Sequence, residues 1–183
     1  MATARTGTFY LTETVQLNNG TAAGQRVQGS VDLGAYVSVA DGLAIAIESV
    51  DFVYQVDGTL GGNVGGMLVA NGTISTQLTD LNPGTALVQA DNQSLIASGA
   101  LNIDVSNVIA SHSSDMFPDN FGPAALSEAF MVVNDTLYLV AGPDTSAIGA
   151  SNVLVTARIR ARIVKLAQKD WVAIAIQSTA SDN

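Results

Sequence analysis

One stretch limits the possible fold more than any other. Between residues 153 and 163, Val153, Val155, Ala157, Ile159, Ala161 and Ile163 share one parity, while Thr156, Arg158, Arg160 and Arg162 share the other. A period of two over this length suits a β-strand with one buried face. After a polar A-Q-K-D turn the chain reads W-V-A-I-A-I-Q from Trp171 to Gln177, so the expectation is a closing hairpin with Trp171 opening its last strand. The same stretch holds five of the seven basic residues, so the dominant apolar edge and the dominant charge feature coincide.

The rest of the chain is poor in charge. Its 183 residues suit one domain with one core. Apolar residues make up 48% and charged residues only 13%, about half the usual quarter, so an ordinary monomer surface cannot be covered by charge. Ser, Thr, Asn and Gly, together with neighbouring subunits, are expected to cover it instead. The net charge of −9 comes from scarce bases: residues 1–152 hold two bases and 14 acids, and residues 153–183 hold five and two. A nucleic-acid binder would show a broad basic face, and none is visible. With no cysteine, no disulfide or thiolate metal site can form. The opening M-A-T-A-R-T-G-T lacks the apolar core of a signal peptide, and the apolar runs 43–47 and 171–176 are far too short to span a bilayer. A soluble chain made in the cytoplasm without a secretion signal is expected. Asn19, Asn71, Asn92 and Asn134 match the glycosylation acceptor pattern, in a chain so rich in Asn and Thr that chance accounts for them.

Along the chain, residues 1–7 read as a flexible arm and residues 8–183 as a single domain. Residues 9–17 alternate as a first strand before the turn Asn18-Asn19-Gly20, residues 25–33 form a second, and 35–39 a third. Within 43–56 the apolar parity changes from Leu43, Ile45 and Ile47 to Val50, Phe52, Tyr54 and Val56, which predicts a β-bulge near Glu48 and Ser49. The glycine-rich 58–66 is a loop; its spacing resembles a phosphate loop, but no Lys with Ser or Thr completes it and no helix is expected after it. Short strands follow at 67–69, 73–78, 86–90, 94–97 and 101–108. Residues 111–125 have no period and read as the longest connection, and 124–130, after Pro123, as the one short helix. Residues 130–133 and 136–141 form either a hairpin about Asn134-Asp135 or one long strand with a polar bulge. Eight to ten strands with little helix indicate an all-β, antiparallel sandwich or barrel.

Candidates for chemistry are few. His112 is the single histidine, and Asp115 and Asp119 lie close to it in sequence; the trio matches no defined metal spacing, and a polar loop residue is the plainer reading of His112. The acid pairs Glu48 with Asp51 and Asp32 with Asp41 would suit glycosidic hydrolysis, but such sites also offer aromatic platforms, and the few rings here fall mostly at core positions. No enzyme, cofactor or metal is expected. Trp171 reads as an anchor at the edge of the core or as a subunit contact. Arg158, Arg160 and Arg162 read as a guard against indiscriminate edge pairing, as a strip that meets an acidic neighbour, or as a contact for anionic lipid or nucleic acid. These four are the interface candidates.

The opening G-T-F-Y-L-T-E-T-V, the F-V-Y at 52–54, the loop F-P-D-N-F-G-P followed by V-V-N-D-T-L-Y-L, and the closing A-R-I-R-A-R-I-V-K-L-A-Q-K-D-W together resemble the small single jelly-roll major capsid proteins of tailless icosahedral viruses with an internal membrane, from archaeal or thermophilic bacterial hosts. The resemblance is one of pattern and length across most of the chain. It implies a jelly roll whose strands stand upright in an icosahedral shell, a virion location, self-assembly into pseudo-hexagonal capsomers, a second related capsid protein as partner, and an internal membrane. There is no basic arm, since residues 1–24 contain only Arg5, so direct nucleic-acid binding is not expected. The alternative is a carbohydrate-binding or adhesin-type sandwich, with Phe117 and Phe121 as the ring-stacking candidates.

Overall fold

The computed structural model describes residues 3–62, 64–116 and 129–180, with side chains as far as Ile176. Among these residues ten strands and two helices follow in the order β1 (Thr3–Ala4), β2 (Phe9–Leu17), β3 (Val27–Asp32), β4 (Leu43–Val56), α1 (Val64–Met67), β5 (Gly72–Thr79), β6 (Leu95–Asp104), β7 (Ile109–Met116), β8 (Phe130–Val132), β9 (Thr136–Asp144), β10 (Val153–Lys165) and α2 (Gln168–Ala180).

Every pairing between strands is antiparallel, in two facing sheets. In the first, β10 lies between β4 on one side and β1 and β2 on the other, and β8 flanks β4; the second runs β3-β9-β5-β6-β7. With β1 and β7 set aside and the other eight strands ranked by sequence, the sheets read 1-8-3-6 and 2-7-4-5, the order of a jelly roll. The expected all-β sandwich is therefore the observed one.

The core follows from parity. Val153, Val155, Ala157, Ile159 and Ala161 are fully buried between the sheets, against Ile45, Ile47, Val50 and Phe52 of β4 and Ile74, Leu78, Leu101 and Leu139 of the second sheet. Opposite Phe52 the second sheet has no side chain at all: a Cβ on Gly99 would lie 2.5 Å from the Phe52 ring. The bulge is where the parity change placed it. Ser49 pairs with Arg160 and Ile47 with Ala161, so Glu48 is left over and both halves of β4 keep their apolar residues inward.

Several expectations give way. Residues 171–177 do not return as a strand; they belong to α2, and β10 is an interior strand paired with β2 and β4. Seven residues that are almost all apolar fit either period, and alanine at two of them favours helix. Thr3–Ala4, within the segment read as a flexible arm, pair with Lys165 and Val164. Residues 35–39 are turns around one bridge, Ser38 to Leu43, and 86–90 form no strand. There the side chain of Gln77 substitutes for a strand partner, accepting from the Val88 N–H at 2.8 Å and donating to its carbonyl at 3.0 Å. The last residues of the segment read as a glycine loop form a helical turn, α1, which extends over Met67, where a strand was expected. The strands expected at 94–97 and 101–108 are one strand, β6, which ends at Asp104 and leaves 105–108 as a turn, and 111–116, the start of the expected long connection, belong to β7. Strands β8 and β9 lie in different sheets, so Asn134-Asp135 is a crossing between sheets and neither a hairpin turn nor a bulge. The short helix expected at 124–130 lies largely outside the described residues, and Phe130 itself opens β8.

Candidate functional site

The outward face of the first sheet gathers all four interface candidates. Arg158, Arg160 and Arg162 alternate with buried Ala157, Ile159 and Ala161, so they project away from the core. The bulge residue Glu48 is placed to meet two of them: Arg160 Nε lies 3.0 Å from Glu48 Oε2, and Arg162 Nε 3.0 Å from Oε1. The Arg162 N–H is not aimed along that line, so this contact is a charge pair without a hydrogen bond. Arg158 differs from both. Its guanidinium lies 5.5 Å from the centre of the Tyr10 ring, it stands in register with Asp51, and it has no ion pair among the described residues. Ring stacking uses the plane of the guanidinium and leaves its N–H fork free for a carboxylate.

Because β10 is flanked along its whole length, the arginines guard no edge, and that reading is withdrawn. Glu48 is committed to arginines, while Asp32 accepts from the Gly34 N–H and Asp41 from the Ser38 hydroxyl; these acids stabilise local structure.

Trp171 closes one end of the same face. It is half-buried on α2, its indole N–H donates to the Leu43 carbonyl at 3.3 Å, and it packs on a second apolar cluster. That cluster comprises Ala44, Ala46, Ala129, Met131, Val133, Val164, Leu166 and Ile174, on the outward side of the sheet, and the sequence reading missed it. The signal was there: Val164 and Leu166 continue the arginine parity with apolar residues, which makes that end of the outer face dry and calls for a cover. The far side of the helix is left open, with Val172 and Ile176 exposed.

The histidine site dissolves on geometry. His112 and Asp115 are three apart on β7 and so lie on opposite faces: both are exposed, but His112 shares the face of its pair Leu101, its ring 5.6 Å from that of Tyr54, while Asp115 shares the face of Ser98. Asp119, Phe117 and Phe121 lie outside the described residues. Among the described residues no three His, Asp or Glu side chains stand close enough to hold a metal ion. Tyr54, whose hydroxyl donates to Thr76 at 3.0 Å, has its pKa pushed up to about 12 by burial, which outweighs the lowering from that hydrogen bond. Three of the four asparagines in acceptor patterns are tied into the fold: Asn71 accepts from the Val105 N–H, Asn92 from the Ser94 N–H, and Asn134 donates to Asp80.

At the end of the sandwich where β4 stops and β10 starts, three non-glycine residues adopt left-handed backbone: Leu60 at φ 55°, Val108 at φ 54° and Thr145 at φ 67°. Leu60 and Val108 are also exposed, by 59% and 71%, as are Val69 and Ile109. Among the described residues no helix is long and apolar enough to cross a membrane.

No family model matches the sequence, and no curated protein matches it. Solved structures that resemble it in shape include two virus chains. A chain of Sulfolobus Turreted Icosahedral Virus is 17% identical with a TM-score of 0.36, over 90% of this chain and 31% of that one, so this chain spans about a third of its length. A chain of Desmodium yellow mottle tymovirus is 10% identical with a TM-score of 0.28, over 88% of this chain and 85% of that one.

Proposed function

We propose that this protein is a structural subunit of a virus shell, a major capsid protein that self-assembles into an icosahedral capsid of the virion. A jelly roll alone hosts many functions. The observation that carries the reading is the surface: in a chain with 13% charged residues, Tyr10, Leu60, Val69, Val108, Ile109, Val172 and Ile176 are all exposed. Single exposed apolar residues are ordinary, but so many on so few charges suit a molecule that is covered by its neighbours. The finer parts of the proposal are a second, related capsid protein in the same shell and an internal membrane beneath it. The protein carries out no catalysis and binds no cofactor in this role.

The test is particle mass by light scattering, with electron micrographs, across a range of protein concentrations and with co-expressed virion proteins. Closed particles of uniform size are expected. A chain that stays monomeric under all these conditions, and binds glycans on an array, would replace the shell by the carbohydrate-binding reading.

A further inference from the structure

The two outward sheet faces carry opposite charge. On the first sheet, parity and register place Arg158, Arg160 and Arg162 outward with Glu48 and Asp51, so bases outnumber acids. On the second, Asp32, Asp104, Asp115 and Asp144 point outward with Arg26, which is spent on Asp144 at 2.6 Å. Neighbours of these acids along their strands, such as Val31, Leu33 and Ile103, are buried, which fixes the side on which the carboxylates stand.

For a chain of net charge −9, most ways of bringing two copies together set acid against acid. Apposing the first sheet of one copy and the second sheet of another does the reverse. Several of the other outward residues are short and uncharged, Thr12, Thr14, Thr156 and Val53 on the first sheet and Thr73, Ser75, Ser98 and Ala100 on the second; Tyr10 and Gln16 are longer, and at the middle of the second face Gln77 and Val140 are already buried, Gln77 bonded to Val88, so the acids stand around a part that the chain covers itself. The short residues lose little side-chain freedom when they are brought into contact.

We propose that the outward face of the first sheet binds the outward face of the second sheet of another copy of this chain, with the Arg158 fork donating to a carboxylate of that copy. The contact uses two different patches, so it is heterologous, and each copy keeps one free face of each kind. Such contacts propagate into rings or larger closed arrays rather than stopping at a pair. The inference deepens the shell reading by naming its lateral contact, and rests on it for the choice of partner.

The experiment uses two charge-reversed variants. One carries Arg158→Glu; the other carries Asp32→Lys with Asp115→Lys. Circular dichroism and melting confirm that each folds, and the milder pair Arg158→Ala and Asp115→Ser replaces any that does not. Sedimentation velocity should show each variant alone associating at least about tenfold more weakly than wild type, with wild-type association falling as salt shortens the screening length. A mixture of the two reversed variants should associate again, because the altered first face of one now matches the altered second face of the other. A second-sheet variant that associates like wild type, or a mixture no better than its components, overturns the proposal. Electron micrographs keep the two readings apart: particles that persist in both variants leave the shell and remove this contact, while salt-sensitive association that never yields particles leaves this contact and removes the shell.

Discussion

Replacing Glu48 by Gln should move stability and association in opposite directions. The carboxylate lies 3.0 Å from the Nε atoms of both Arg160 and Arg162; its side chain is 17% exposed and theirs are 49% and 31% exposed. A half-exposed pair is worth about 0.2–1 kcal/mol, and the drier Arg162 pair sits at the upper end of that range. Glutamine preserves shape but removes the charge and turns one of the two oxygens that face an arginine into an NH2 donor, so the monomer should lose about 1–2 kcal/mol. For a domain of this size that is a fall in Tm of about 2–8 °C. The loss should shrink at about 1 M salt, where the screening length is about 3 Å. The same substitution adds one unit of positive charge to a face proposed to meet carboxylates, so wild-type-like or tighter association is expected from a less stable monomer. Melting must be followed at dilution, where mass action does not mask the loss. A Glu48→Gln protein that melts like wild type at low salt would refute the structural assignment of Glu48. One that loses association along with stability would refute the charge argument for the face.

Three further outcomes can be checked on the monomer. Because folding raises the Tyr54 pKa from 10.0 to about 12, its contribution is fully present below pH 10 and is lost as pH rises through about 12; alkaline denaturation should fall in that window, and Tyr54→Phe should remove the dependence at the cost of about 0.5–1.5 kcal/mol at neutral pH. Gly99→Ala should cost about 1–3 kcal/mol by overpacking against Phe52, and Phe52→Leu in that background should recover part of it, a coupling read by a double-mutant cycle; additive effects would mean the ring and the glycine do not meet. Val108→Asn should raise stability by up to about 1 kcal/mol, since asparagine tolerates the left-handed backbone that a β-branched residue resists; a lower Tm would mean the valine side chain is needed where it stands.

The parts of this fold legible in sequence are those where period and burial agree. The alternation in β10 and the parity change in β4 each have one structural solution, because a one-residue slip would turn a whole apolar set outward. The bulge was therefore readable, but its purpose was not: that Glu48 would stand between Arg160 and Arg162 depends on β10 lying beside β4, which no local pattern states. The closing hairpin failed for a related reason. Residues 171–176 carry no polar position to reveal a period, so the decision fell to a tertiary demand, the need of Val164, Leu166, Ala44 and Ala46 for a cover. The second sheet was harder still. Strand β7 is exposed along nearly its whole length and rich in serine, so nothing about its hydropathy distinguishes it from a loop. The separation of β8 from β9 into different sheets is equally invisible across a two-residue polar step.

The place of β10 also sets the order in which the molecule can be made. Val153 pairs with both Leu17 and Val56, so the strand that joins β2 to β4 leaves the ribosome long after either. Until it arrives, β2 and β4 have no common neighbour and each shows an unpaired backbone edge to whatever other chains are nearby. Completion of the first sheet is then a late, non-local step, slow because it waits on distant contacts rather than on local ones. A nascent chain stalled before Val153 would hold its most apolar strands ready for the wrong partner, so a cell making many copies at once has reason to keep the polypeptides apart until synthesis has passed Lys165.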